Sequence, residues 1–244
     1  MKRARDKHAA APASTTAKQS RTATTWTVKR IAVKDIATRK SEGGEKSPQR
    51  KLSCTVLTAE TSGAVGEVPL SLLQSLFRGG AKTTKMADYN NYRTGGHKGR
   101  FEAGTNDRAI SVGTVAAYET LRATLPGVTI NDGDLGENIL LDGPSALAGV
   151  DLAVGTHLQI GGCVLALTEA NNPCYRFNRQ PWVNAAKAAF AADAPEPSKW
   201  FKAPSCPLNH EINPGVRGWL AKVVREGEVR KGDEAKKVKG GRRR

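Results

Sequence analysis

From Leu52 onward, short β-branched apolar runs alternate with clusters of Gly, Pro, Asn and Asp, the texture of strands joined by tight turns. The runs predict strands over 54–58, 109–112, 128–130, 138–141, 157–160, 164–168, 219–224 and 228–230. Helical spacing occurs three times. Residues 69–77 carry Leu72, Leu73, Leu76 and Phe77, residues 114–125 place Val115, Tyr118, Leu121 and Leu125 on one face, and 183–192 is rich in alanine. Upstream, Trp26, Val28, Ile31 and Val33 alternate imperfectly with Thr27, Lys29 and Arg30, which predicts either a strand or an arm laid on the body. The expected fold is mostly β, with a few peripheral helices.

Between the first two predicted helices lies a polar, glycine-rich stretch, 79–107, holding Gly95-Gly96-His97-Lys98-Gly99-Arg100 and ending next to Arg108. A connection longer than about 12–15 residues is usually functional or disordered. Glycines that admit close backbone approach, followed by Lys98 and Arg100, suit an anion cradle, and a mobile surface loop is the alternative. Residues 1–51 read as a basic, disordered N-terminal tail or targeting segment, 52–233 as the folded domain, and 234–244 as a basic C-terminal tail.

Charge follows the same division. The chain of 244 residues has a net charge of +15, yet residues 1–51 hold 14 Lys/Arg against 4 Asp/Glu, and 220–244 hold 10 against 4. The stretch between is nearly neutral, at −1, so polyanion binding such as RNA contact belongs to the tails. No apolar run approaches the ~20 residues of a membrane helix, and the opening lacks the apolar stretch of a secretory signal. An intracellular protein is expected, with no membrane partner. It is cytoplasmic by default, with mitochondrion or plastid as the alternative because the start is basic and hydroxyl-rich.

The four cysteines, Cys54, Cys163, Cys174 and Cys206, include no Cys-x-x-Cys pair and are too few for a disulfide framework. Cys54 and Cys163 read as core residues. Cys174 stands apart. It follows the apolar run 164–168 and the polar stretch Glu169-Ala170-Asn171-Asn172, with Pro173 fixing the backbone before it. A thiolate at a strand end can bind a soft metal or attack an electrophile. Arg176, two residues on, would favour the charged thiolate or pair with an oxyanion, and its plainer reading is a surface arginine. A zinc site from Cys174, Cys206 and His210 is the rival, weakened because only Cys206 and His210 are closely spaced. Residues 179–207, holding Trp182, Trp200 and Phe201, read as an insertion that covers the site, packs on the barrel or binds a partner.

Three ordered segments resemble the MOSC domain found at the C-terminus of molybdenum-cofactor sulfurases. Asp132-Gly133-Asp134-Leu135-Gly136-Glu137-Asn138-Ile139 resembles the family's Pro-Gly-x-x-Gly-Glu-Asn turn and strand. Residues 152–161, Leu-Ala-Val-Gly-Thr-His-Leu-Gln-Ile-Gly, are similar to its hairpin and run into the strand ending in Asn-Pro-Cys. Pro214-Gly215-Val216-Arg217-Gly218-Trp219-Leu220-Ala221-Lys222-Val223 and residues 227–233 resemble its closing strand and turn. The resemblance implies a MOSC-like β-barrel that binds the molybdenum cofactor (molybdopterin), with Cys174 ligating molybdenum or receiving sulfur. It also implies that Asn138 contacts the pterin, and Asn172 lies beside the cysteine in the same motif. Amidoxime-reducing relatives carry an arginine where Gly136 stands, so a phosphate-binding arginine must come from elsewhere, with Arg100 and Arg108 as candidates. His97 and Asp107 match polar positions of the equivalent loop.

The function so implied is a molybdoenzyme reducing N-hydroxylated or N-oxidised small molecules, independent of pyridoxal phosphate and supplied by an external electron donor, since no flavin, haem or iron–sulfur motif is present. A non-catalytic cofactor or sulfur carrier served by a sulfur donor is the second reading. The third is a ribonucleoprotein or assembly subunit whose basic tails grip RNA.

Overall fold

The computed structural model describes residues 24–34, 51–60, 63–69, 81–89, 107–143, 152–172, 177 and 180–240. The strands in chain order are β1 (Thr25–Lys34), β2 (Lys51–Ser53), β3 (Val56–Glu60), β4 (Gly63–Pro69), β5 (Thr83–Tyr89), β6 (Ile110–Thr114), β7 (Ile139–Asp142), β8 (His157–Ile160), β9 (Cys163–Ala170), β10 (Trp219–Arg225), β11 (Gly227–Arg230) and β12 (Glu234–Val238). The helices are α1 (Val115–Thr124) and α2 (Val183–Phe190), with a 3-10 helix over Pro197–Lys202. Among the described residues no helix is long and apolar enough to cross a membrane.

Among the described residues, seven strands close into a barrel in the order β1, β12, β8, β9, β10, β6, β7 and back to β1. Neighbours are antiparallel except β6 and β7, which run parallel. The barrel core is filled from alternate positions, among them Val28, Ile110, Val112, Ile139, Leu165, Leu167 and Ala221. A second sheet, β11-β3-β4-β5, shares this core through Leu57, Ala64 and Val229.

β1 closes the barrel: Thr25–Thr27 pair with β12, Thr27–Ile31 with β7, and Ala32–Lys34 with β2. The register shifts between Val28 and Arg30, which is why the apolar alternation there is imperfect. The tail boundaries are therefore corrected. Thr25–Lys34 and Glu234–Val238 belong to the folded body, whose strands run from Thr25 to Val238. Part of the charge assigned to the N-terminal tail is spent in the body, since Lys29 lies 3.2 Å from Asp132 and Arg30 3.6 Å from Glu137. The stretch 79–107 is not one loop either, because β5 pairs with β4 along its whole length; His97 and Arg100 lie outside the described residues.

β4 was hidden by its glycines and proline. At Gly66 an added Cβ would sit 2.7 Å from Val33 Cγ1 and 3.0 Å from the Cys54 sulfur, so the close crossing of the two sheets excludes a side chain there. Residues 128–130 form no strand, although Ile130 is buried in a second core. The predicted helix over 69–77 begins on Pro69, the last residue of β4, and the rest of it lies outside the described residues.

The second core lies between α1, which buries Val115, Ala117, Tyr118 and Leu121, and the 180–208 region. Phe177, Trp200 and Phe190 stack nearly parallel, with ring centroids 6.5 and 6.4 Å apart, and Trp182 stands edge-on to Phe177 at 5.4 Å. The tryptophan-bearing insertion thus packs against α1 and against Leu140 of barrel strand β7, which is the barrel-packing outcome among the three open from sequence.

Candidate functional site

Cys174, the central candidate, lies outside the described residues together with Arg176, but the chain on both sides is described. β9 and β10 pair at Ala170 and Trp219, and the Asn171 N–H donates to Gly218 O at 2.9 Å. Gly218 has φ +90°, and an added Cβ would lie 2.2 Å from Val112 O, so only glycine admits this approach of β10 to β6.

Arg217, only 5 % exposed, reaches from that turn across the strand end. Its Nη1 donates to Asn171 Oδ1 at 3.2 Å and to Asn172 O, and its guanidinium lies 4.2 Å from the Phe177 ring centroid. One planar cation thereby holds two oxygens and covers an aromatic face, a combination suited to arginine. Asn172 itself is exposed.

One level below, registers align Glu169 on β9, Leu220 on β10, Ser111 on β6 and Asn138 at the entry to β7. Arg108 donates through Nη2 to Glu169 Oε2 at 2.6 Å and pairs through Nε with Oε1. Beside it the Thr168 hydroxyl donates to Asp107 O, while the Asp107 carboxylate is 3.8 Å from Lys222 Nζ. Arg108 and Asn172 are therefore gathered at the C-terminal end of β9, with Arg108 engaged by a carboxylate.

Asn138 is 4 % exposed. Its Oδ1 accepts from the Ser111 N–H at 3.0 Å and hydroxyl at 2.8 Å, and its Nδ2 donates to Ala32 O at 3.0 Å. The amide faces into the barrel wall and joins β1, β6 and β7, a fixing role that spacing alone does not reveal. Its neighbour Glu137, 1 % exposed, accepts from the Tyr118 hydroxyl at 2.7 Å and faces Arg30. Tyr118 in turn accepts the N–H groups of Gly133 at 2.8 Å and Leu135 at 3.0 Å, pinning the whole glycine turn. Burial, then the Glu137 charge, push the Tyr118 hydroxyl well above its ordinary pKa, so it stays a neutral donor. At Asp132 burial works against the charge, but bonds from Arg122 and Lys29 outweigh it and hold the carboxyl below its usual range.

The other three cysteines are buried and free of disulfides. Burial pushes the Cys163 and Cys206 thiols up to about 11, leaving them protonated and unreactive at neutral pH. Among the described residues no three His, Cys, Asp or Glu side chains converge on a point that could hold a metal ion.

Sequence reasoning missed Arg217, Tyr118 and Glu137 as a supporting frame. Arg217 stands in the closing-strand motif, yet nothing in that motif says that its guanidinium is buried 46 residues away against Asn171.

The family model of the MOSC domain matches residues 99–236, more than half of the chain, and the chain belongs to the MOSC domain family. Among solved structures it is similar to the YuaD protein from Bacillus subtilis, at 16% identity over 86% of this chain and 94% of that one, with a TM-score of 0.47. It is also similar to YiiM from Escherichia coli, at 13% identity over 89% and 71%, TM-score 0.45. YiiM from Geobacillus stearothermophilus matches at 12% identity over 88% and 75%, TM-score 0.48. Among curated proteins none matches the chain.

Proposed function

We propose that this MOSC protein binds the molybdenum cofactor through Cys174 and reduces N-hydroxylated or N-oxidised small molecules, with electrons from an external donor. The observation that carries the reading is the sorting of the cysteines. Cys54, Cys163 and Cys206 are buried in the two cores, which leaves Cys174, at the end of β9, as the thiol for metal chemistry. Among the described charges at that strand end, Arg108 is neutralised by Glu169, whereas the buried Arg217 guanidinium faces neutral oxygens and keeps the positive sign that suits an anionic, phosphate-bearing group.

When bound, the cofactor supplies two-electron redox chemistry at molybdenum. The Cys174 thiolate would hold the metal, and Asn172, Arg176, Arg100 and His97 would address the polar and anionic parts of the group, while Arg108 stays paired with Glu169. Asn138, committed to Ser111 and Ala32, contributes by fixing the Glu137-Asn138 turn.

The test is elemental molybdenum with pterin fluorescence on protein purified from a molybdenum-competent host, wild type beside Cys174→Ala, followed by turnover of a hydroxylamine with an artificial donor. Metal and pterin in the wild type and their loss from the variant are expected. Metal undiminished in the variant rejects ligation by Cys174, metal-free wild type rejects the cofactor reading, and loaded protein without turnover rejects the reductase.

A further inference from the structure

β1 and β12 bring opposite ends of the sequence together. Thr25 pairs with Lys236 and Thr27 with Glu234 in antiparallel register, so the paired Cα atoms stand about 5 Å apart. Because the two strands run in opposite directions, Thr24, where residues 1–23 join the body, comes beside the end of β12, from which Lys239 and Gly240 lead on to 241–244. Positive charge from both ends of the sequence thereby meets at one place. Residues 1–23 carry +5, 234–240 carry +2 and 241–244 carry +3. The fixed member is the β12 end, where Lys236, Lys237 and Lys239 are all exposed. Glu234 takes up Lys236 at 3.1 Å, and Asp142, the next carboxylate in register, is paired with Thr27 on the other edge of β1. Lys237 and Lys239 stand where both basic segments join the barrel.

We propose that Lys237 and Lys239 are the fixed base of one RNA-binding surface, to which the segments continuing from Thr24 and Gly240 add their charge together instead of acting as two separate tails. Clustered lysines and arginines draw a dense row of phosphates and release its counterions, and the Ser and Thr hydroxyls among residues 1–23 are further donors to phosphate oxygens. Residues 1–23 contain no Val, Ile, Leu, Phe, Tyr or Trp, so they have no apolar face to bury in a bilayer, which favours RNA over a lipid surface. The inference stands apart from the cofactor reading and needs no metal.

The experiment titrates the full chain with a labelled short oligouridine over a range of salt, reading affinity by fluorescence anisotropy and stoichiometry by calorimetry. The wild type should bind one oligonucleotide per chain, with affinity falling steeply as salt rises. Replacing Lys237 and Lys239 together with alanine should reduce the slope of log affinity against log salt by about 1.4, at about 0.7 per lost phosphate contact, and weaken binding roughly 25-fold at about 0.1 M salt. Replacing Arg242, Arg243 and Arg244 with alanine should also lower the slope while the stoichiometry stays at one. An unchanged slope in the lysine variant overturns the inference. So do two oligonucleotides per chain in the wild type falling to one in the arginine variant, the mark of independent tails. Absence of salt-dependent RNA binding by the wild type overturns it as well, and phosphatidylserine vesicles bound more tightly than oligouridine at the same salt assign the surface to lipid instead. Should the lysine variant fail to fold, the arginine variant, which alters no strand residue, decides with the wild type: a lowered slope at a stoichiometry of one supports the shared surface, and an unchanged slope overturns it.

Discussion

Gly218→Ala tests how tightly the barrel is drawn together beside the site. With φ at +90°, alanine at this position carries the left-handed penalty of about 1–2 kcal/mol. Steric overlap adds to it. The new Cβ would fall 2.2 Å from Val112 O and 3.1 Å from Gly113 Cα, both backbone atoms that no rotamer change can move. Relief requires β10 to part from β6 at the Trp219–Val112 pair, an overpacking cost of about 1–3 kcal/mol. The total expected is about 2–5 kcal/mol. Gly127, at φ +81° in the turn after α1, is the control, because nothing lies within 4 Å of its would-be Cβ and only the backbone penalty applies. Urea unfolding followed by circular dichroism reads both variants, and thermal melting should separate them by about 2–4 °C per kcal/mol. If Gly218→Ala is destabilised no more than Gly127→Ala, the close approach of β10 to β6 is not what demands glycine, and the reasoning fails.

Tyr118→Phe removes the acceptor of two backbone N–H groups and one donor to a buried carboxylate at once, so urea unfolding should show a loss of about 2–4 kcal/mol. A loss below about 0.5 kcal/mol, the level of an ordinary surface change, would contradict the pinning of the glycine turn. The two thiols pushed up to about 11 stay protonated in the folded state while the unfolded chain loses those protons from about 9 upward. Stability from this source is therefore complete below pH 9 and is lost as pH rises to about 11; replacing both Cys163 and Cys206 with alanine should flatten that limb of a stability–pH curve. At pH 8 iodoacetamide should leave Cys54, Cys163 and Cys206 unmodified in native protein and label them after unfolding, as mass spectrometry would show.

Local pattern was enough for most of the barrel. β8 falls where the apolar alternation of 157–160 puts it, and β6, β7, β9, β10, β11, α1 and α2 lie within a few residues of their predicted spans, because periodicity and turn glycines are properties of neighbouring residues. Family membership was legible for the same reason, as ordered glycine turns around an Asn-Pro-Cys strand end. The barrel's closure was not. β12 buries Ala235 among Glu234, Lys236 and Lys237, too little apolar signal to announce a strand, and it forms because β1 and β8 already offer it hydrogen-bonding edges. β1 looked like part of a basic tail because the partners of Lys29 and Arg30 lie about a hundred residues away, on Asp132 and Glu137.

The same division runs through the site. Sequence by itself singled out Cys174 and the Asn171-Asn172 approach to it, since residue type and strand-end placement are written locally. Tertiary structure decided which thiols are withdrawn into the cores, that the Asn138 amide is spent on Ser111 and Ala32, and that Arg217 lies buried across the strand end. Burial and the pairing of a polar group with a distant partner depend on how the sheet closes, and the spacing of residues along the chain does not encode that closure.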